Sequence, residues 1–291
     1  MISAPLKSVL HHLRYLPLWS ALTLVRWRGF DQRSRGLGTT LALVMRFYPP
    51  ARRRFEREAV RVFPDMKRGE RARLGQDMAR HMGRALFEVY HAAEFLTQHH
   101  KFNAAGPGLA ALKAAQARGR GAIILSGHFG QWEAVRAVLQ MQGMECGAVY
   151  RPNKNRHYER RMFAGIEAGG KPILATGRVG TKALVRHVRD GGIMALLLDE
   201  KYDKGVRIPF LGHDALTSIS AAQLALKYDL PLIPAYGIRI GDGNAFQVDF
   251  EAPVPHTDAI TMTRAFNDSL SARILENPAQ WYWMLRRWDG A

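Results

Sequence analysis

Residues 121–138 (GAIILSGHFGQWEAVRAV) hold the pair best suited to chemistry in this chain, His128 and Glu133. An imidazole titrates near neutral pH. A carboxylate on one ring nitrogen fixes its tautomer and raises its basicity, leaving the other nitrogen to take a proton. Such a pair can activate a hydroxyl toward an acyl group. Spacing alone carries little weight: with 11 histidines and 25 carboxylates in 291 residues, about one histidine meets a carboxylate five positions on by chance, and one does. Other signatures are absent or weak. No GxSxG elbow, Walker-type loop or HExxH helix occurs, and the adjacent pairs His11-His12 and His99-His100 lack metal-ligand spacing. Gly106-Pro107-Gly108 with Ala111 imitates a dinucleotide fingerprint. No strand is expected before it and a proline interrupts it, so it reads as a turn opening a helix. A single cysteine, Cys146, excludes an internal disulfide framework and any multi-cysteine metal site, and reads as core packing.

The setting of His128 gives it weight. Residues 122–125 (AIIL) read as a buried strand, Ser126-Gly127-His128 as a turn, and residues 131–142 as a helix. His128 then falls at the carboxyl end of a strand, the edge where open α/β sheets place ligands. Glu133 lies in the next helix's first turn, whose leading N–H groups could face a developing oxyanion. Further strands are expected at 146–150, 193–198, 232–238 and 246–250, and helices at 68–96, 108–117, 181–190, 218–228 and 261–275. This alternation predicts an α/β fold: a mostly parallel central sheet flanked by helices, with a late antiparallel part. Asp199 ends one of these strands on the same edge as His128, where a loop-capping role competes with a functional one. No repeat, low-complexity tract or Gly/Ser linker marks a second core, so residues 51–291 are expected to form a single α/β domain.

Charge frames that domain. With 42 Lys and Arg against 25 Asp and Glu, the net charge is +17, which favours an anionic partner. Residues 26–73 alone carry 14 basic and five acidic residues. They are flanked and interrupted by two apolar, aromatic-bearing segments, 13–27 and 37–48. Neither reaches the ~20 uninterrupted apolar residues of a spanning helix, and no signal peptide is expected at the start. Tyr15, Trp19, Trp27 and Phe47 beside arginines suit helices lying at a bilayer interface, so residues 1–50 are expected to form an N-terminal helical membrane-associating segment. An amphipathic helical hairpin packed on the rest of the protein, with a solvated basic face, fits the same residues. A nucleic-acid-binding reading would cite Arg52-Arg53-Arg54 and Trp281-Tyr282-Trp283 with Arg286-Arg287. No nucleic-acid module accompanies them, and no nucleic-acid partner is expected.

Ordered blocks along the chain add a resemblance. His128-Phe129-Gly130-Gln131-Trp132-Glu133 resembles the HFGNWE motif of the lipid A biosynthesis acyltransferase family, the lauroyl and myristoyl transferases. Phe63-Pro64-Asp65, Glu88, Tyr150-Arg151-Pro152-Asn153, Leu197-Leu198-Asp199, residues 206–212 (VRIPFLG) and residues 280–288 (QWYWMLRRW) match further family blocks in order. The resemblance covers roughly residues 50 to 288, and the ordered set is far more specific than any one block. It implies that His128, supported by Glu133, deprotonates a hydroxyl on a lipid A precursor, and that the alkoxide attacks an acyl carrier protein thioester. Arg151, Asn153 and Asp199 would bind substrate, with no metal or bound cofactor. The partners implied are the acidic carrier protein, the anionic lipid A precursor and a membrane surface, at the cytoplasmic face of a Gram-negative inner membrane.

The departures bear on substrate choice more than on reaction class. Gln131 replaces the usual asparagine, Glu200 a glutamine, Leu285 a histidine, and Glu58-Ala59 an Asn-Leu pair. Ile166 falls where many members carry an arginine, with Arg160 and Arg161 nearby. The Pro-Glu-Gly-Thr block of phosphate acyltransferases is absent. The family's actinobacterial branch, which acts on mannosylated phosphoinositides, usually ends its motif in aspartate, so Glu133 favours the lipid A branch. Another membrane glycolipid or an aminolipid stays open as acceptor.

Overall fold

Short aliphatic runs punctuated by glycine form the strands, and longer amphipathic stretches form the helices that cover them. The computed structural model describes Ser20 and residues 27–288. The first part is helical: α1 (Phe30–Phe47), α2 (Pro49–Val62), α3 (Arg68–Tyr90) and the short α4 (Ala92–Leu96). Then come β1 (Phe102–Ala105), α5 (Pro107–Ala117), β2 (Ala122–Ser126), α6 (Trp132–Met141), β3 (Cys146–Tyr150), α7 (Arg156–Ala168), β4 (Ile173–Ala175), α8 (Arg178–Arg189) and β5 (Ile193–Leu197). A hairpin, β6 (Val206–Phe210) and β7 (His213–Thr217), precedes α9 (Ser220–Tyr228), β8 (Leu232–Ile240), β9 (Ala245–Phe250) and α10 (Ala259–Glu276).

Seven strands form one sheet in the order β1-β9-β8-β2-β5-β3-β4, and all neighbours run parallel except β8 and β9. The expected α/β architecture, mostly parallel with a late antiparallel pair, is the one observed. β2 lies inside the sheet and all five of its residues are buried. Its odd-numbered Ile123 and Leu125 pack into the core that holds Trp281 and Phe266, whereas Ala122 and Ile124 pack into the core under α6. Ser126 pairs with Leu197, so the chain leaves β2 and β5 in step at one edge. That register brings His128 and Asp199 side by side.

Several elements escaped the sequence pattern. The helix expected over 68–96 breaks at His91 into α3 and α4. α7 buries Gly165 alone among its residues, so its apolar periodicity is weak. A strand, β1, does precede Gly106, contrary to expectation. It pairs parallel with β9, which runs antiparallel to β8, so Gly106 lies on the edge opposite His128. A Cβ at Gly106 would sit 2.1 Å from the Phe250 carbonyl oxygen, so this glycine serves packing rather than a phosphate.

Of the segments expected at the N-terminus, residues 13–27 lie outside the described residues apart from Ser20 and Trp27. α1 buries Phe30, Ala42 and Met45 and lies against α3, where a Cβ at Gly83 would come within 2.9 Å of the Gly38 Cα. Its other face leaves Leu43, Val44 and Phe47 exposed. Among the described residues, no helix is long and apolar enough to cross a membrane.

Candidate active site

The turn after β2 is fixed from two sides. Gly130 takes φ +59, and a Cβ there would lie 2.0 Å from the Gly237 carbonyl oxygen, so β8 admits only glycine at this contact. The Gln131 N–H donates to that same Gly237 carbonyl at 2.7 Å. The Gly130 N–H donates to the Gln280 carbonyl at 2.8 Å, and the Tyr282 N–H to the His128 carbonyl at 2.9 Å. Residues 280–282 thus clamp the turn, giving the C-terminal block a physical role that its composition alone did not reveal.

His128 emerges from this turn with its side chain 23% exposed, while the Asp199 side chain is fully buried. Asp199 Oδ1 lies 2.9 Å from His128 Nδ1, and Asp199 Oδ2 accepts from the His128 backbone N–H at 2.7 Å and from Trp281 Nε1 at 2.9 Å. A Cβ at Gly127 would come within 3.0 Å of Asp199 Oδ2, so a glycine must stand there for the carboxylate to come this close. Burial pushes the imidazole pKa down, but the charge and hydrogen bond of Asp199 outweigh it and the net shift is upward. Burial likewise pushes the Asp199 carboxyl up, yet His128 and the donors around it hold it below the usual carboxylate value. An Nδ1–H donated to Asp199 leaves Nε2 as the basic nitrogen.

The carboxylate that holds the imidazole is therefore Asp199, whereas the sequence pointed to Glu133. The Glu133 carboxylate accepts from Arg136 Nη1 at 2.6 Å, one helical turn on. Burial pushes its pKa up, against the opposing charge of Arg136. Arg136 also donates to the carbonyls of Cys146, Ile166 and Gly170, tying α6 to β3 and to the end of α7. Both side chains are buried, and a buried charge requires a partner; Arg136 supplies it for Glu133. Two N–H groups of the first turn of α6, those of Glu133 and Ala134, donate to the side chain and carbonyl of Gln131 rather than pointing to an acyl group.

Arg151 and Asn153 follow β3 at the same edge. Arg151 donates to Glu200 at 3.0 Å, and the charges of both act on His128. The Asn153 side chain accepts from the Asn155 N–H at 2.8 Å, and its own N–H donates to Glu159. The departures from the family pattern find places here. Gln131 donates to Glu88 at 2.5 Å, and Glu88 receives Arg239 through both oxygens at 2.9 and 2.7 Å. Leu285 is buried in the tryptophan core, and Ile166 gives its carbonyl to Arg136. Arg161 meets His91 at 3.0 Å rather than the edge. Sequence patterning missed Trp281, Arg239 and Arg136 as parts of this apparatus, since each lies far along the chain from its partner or reads as an ordinary helix residue.

A partly exposed histidine base, oriented by a buried carboxylate at the carboxyl edge of an α/β sheet, defines a site that can take a proton from a hydroxyl. The chain matches the model of the bacterial lipid A biosynthesis acyltransferases over residues 6–289, and it belongs to that family. It is similar to a lipid A biosynthesis acyltransferase of Haemophilus influenzae, 26% identical over 233 residues that cover 77% of this chain and 73% of the relative. It is also similar to the phosphatidylinositol mannoside acyltransferase of Mycobacterium tuberculosis, 26% identical over 187 residues, 62% of this chain. That match spans 58% of the mycobacterial protein's own length.

Proposed function

We propose that this chain is an O-acyltransferase working at a membrane surface, which moves a fatty acyl group from an acyl carrier protein thioester to a hydroxyl of a lipid A precursor. The contact between His128 Nδ1 and Asp199 is the observation that carries this reading. His128 Nε2 takes the acceptor hydroxyl proton as the oxygen attacks the thioester carbonyl. The C–S bond then breaks, the ester forms, and the imidazolium returns its proton to the leaving thiolate. Asp199 keeps the tautomer and stabilises the imidazolium, and Trp281 keeps Asp199 in place. Arg151 and Asn153, exposed after β3 at the same sheet edge, would meet acceptor phosphate or sugar groups.

The +17 charge supports two anionic partners, the carrier protein and the phosphorylated acceptor. Exposed Leu43, Val44, Phe47 and Tyr48 beside Arg46 support docking at the cytoplasmic face of an inner membrane without spanning it. The likeness to a phosphatidylinositol mannoside acyltransferase keeps another membrane glycolipid as the second reading of the acceptor. Mass spectrometry of membrane glycolipids from a deletion strain tests the assignment. Loss of one secondary acyl chain from lipid A is expected; an intact lipid A with a changed second glycolipid would overturn the acceptor.

A further inference from the structure

A cleft of about 330 Å³ opens where α1, α2 and α3 meet, remote in sequence from the His128 edge. Its floor is apolar, made by Met45, Phe55 and Gly75; a Cβ at Gly75 would come within 2.9 Å of the Phe55 ring. Its rim carries three arginines, one from each helix: Arg46, Arg52 and Arg73. The one carboxylate in the lining is Glu56. Among the described residues, neither Arg52 nor Arg73 forms an ion pair, and Arg46 lies over the exposed Phe47 ring. Three arginines against one carboxylate give the lining a positive excess, which an anion with several acceptor oxygens complements.

The surroundings say what kind of anion. On α1, Arg46 lies between the buried face holding Ala42 and Met45 and the exposed face holding Leu43, Val44 and Phe47. Tyr48 continues the exposed strip into α2. A phosphate seated among the arginines therefore has an apolar surface directly beside it, the arrangement an amphiphile requires. The volume accommodates a phosphate-bearing headgroup but not its hydrocarbon chains, which would lie along the strip outside.

We infer that this cleft is a binding site for the headgroup phosphate of an anionic membrane lipid, separate from the site of acyl transfer. The inference rests on the membrane-surface part of the proposed function, not on its chemistry. Titration calorimetry on the purified full-length chain tests it, using dihexanoyl phosphatidic acid below its micellar concentration and inorganic phosphate as a second probe. The R52Q/R73Q variant should bind the lipid about tenfold more weakly or worse, because charge-assisted hydrogen bonds to phosphate are lost. The R53Q/R57Q variant removes the same charge from exposed positions of α2 outside the cleft and should lose less than about twofold. Circular dichroism checks that both remain folded. H128A should bind as the parent does, so failure of the chemistry and failure of this site are read separately. Equal losses in the two double variants would show diffuse attraction and overturn the site. Inorganic phosphate binding as tightly as the lipid would overturn the lipid as its occupant.

Discussion

At the scale of single residues, the account turns on which carboxylate serves the imidazole. His128 was legible in the sequence because a histidine that follows an aliphatic run and a Ser-Gly turn marks a strand's carboxyl end. Its hydrogen-bond partner was not, because Glu133 is near in sequence while Asp199 is brought near only by the β2–β5 register. The two carboxylates make different predictions. Asp199→Asn keeps the shape but removes the charge, and should lower kcat by about 10²–10⁴ with little change in KM. The negative charge of Asp199 raises the imidazole pKa, and the base must be deprotonated to act. Wild-type activity should therefore rise with pH through a midpoint above the ordinary histidine value of ~6.5, and the variant's midpoint should move to lower pH. A pH–rate profile of both proteins reads this. Glu133→Ala should instead lose about 3–5 kcal/mol of stability, because it leaves Arg136 buried without its partner. The paired change Glu133→Leu with Arg136→Met should recover much of that loss in thermal or denaturant unfolding. It should also retain transfer in the folded protein, an outcome foreign to a residue acting on the imidazole.

Among elements, the turn that carries His128 is held less by its own helix than by strands and segments distant in sequence. β8 supplies the Gly237 carbonyl, residues 280–282 clamp the turn, and α3 supplies Glu88 beneath Gln131. The sheet and most of its strands were legible because β2, β5 and β8 are largely aliphatic runs, β3 is a short, mostly buried one, and β9 alternates apolar with polar residues. β1, β4, α7 and the β6–β7 hairpin were not: β1 and β4 span only four and three residues, α7 buries Gly165 alone, and Pro209 and Asp214 interrupt the short hairpin strands. The Glu88–Arg239 pair joins α3 to β8 with both side chains almost wholly buried. Arg239→Met should therefore cost about 3–5 kcal/mol, seen as a lowered denaturation midpoint, by stranding the Glu88 carboxylate. Because Gln131 hangs from the same carboxylate, residual folded protein should also show reduced kcat with its pH midpoint unmoved. That separates support of the turn from support of the imidazole.

For the whole molecule, charge and exposed apolar surface act together. The basic surplus was plain in the sequence. The division of α1 into a face packed on α3 and an exposed apolar face was not, because the same segment suited both a packed hairpin and an interfacial helix. Leu43→Gln with Phe47→Gln, both at exposed positions, should leave stability within about 0.5 kcal/mol while weakening vesicle binding. Raising salt should loosen the parent protein from anionic vesicles only partly, since the apolar contribution is unscreened. Co-sedimentation with vesicles measures both effects. The central claim, that His128 is the base of an acyl transfer, has a more direct test. Purified His128→Ala protein, compared with wild type on detergent-dispersed lipid A precursor and acyl carrier protein thioester, should remain folded, bind vesicles normally and form no acylated product by mass spectrometry. Transfer at a rate near wild type would contradict the account.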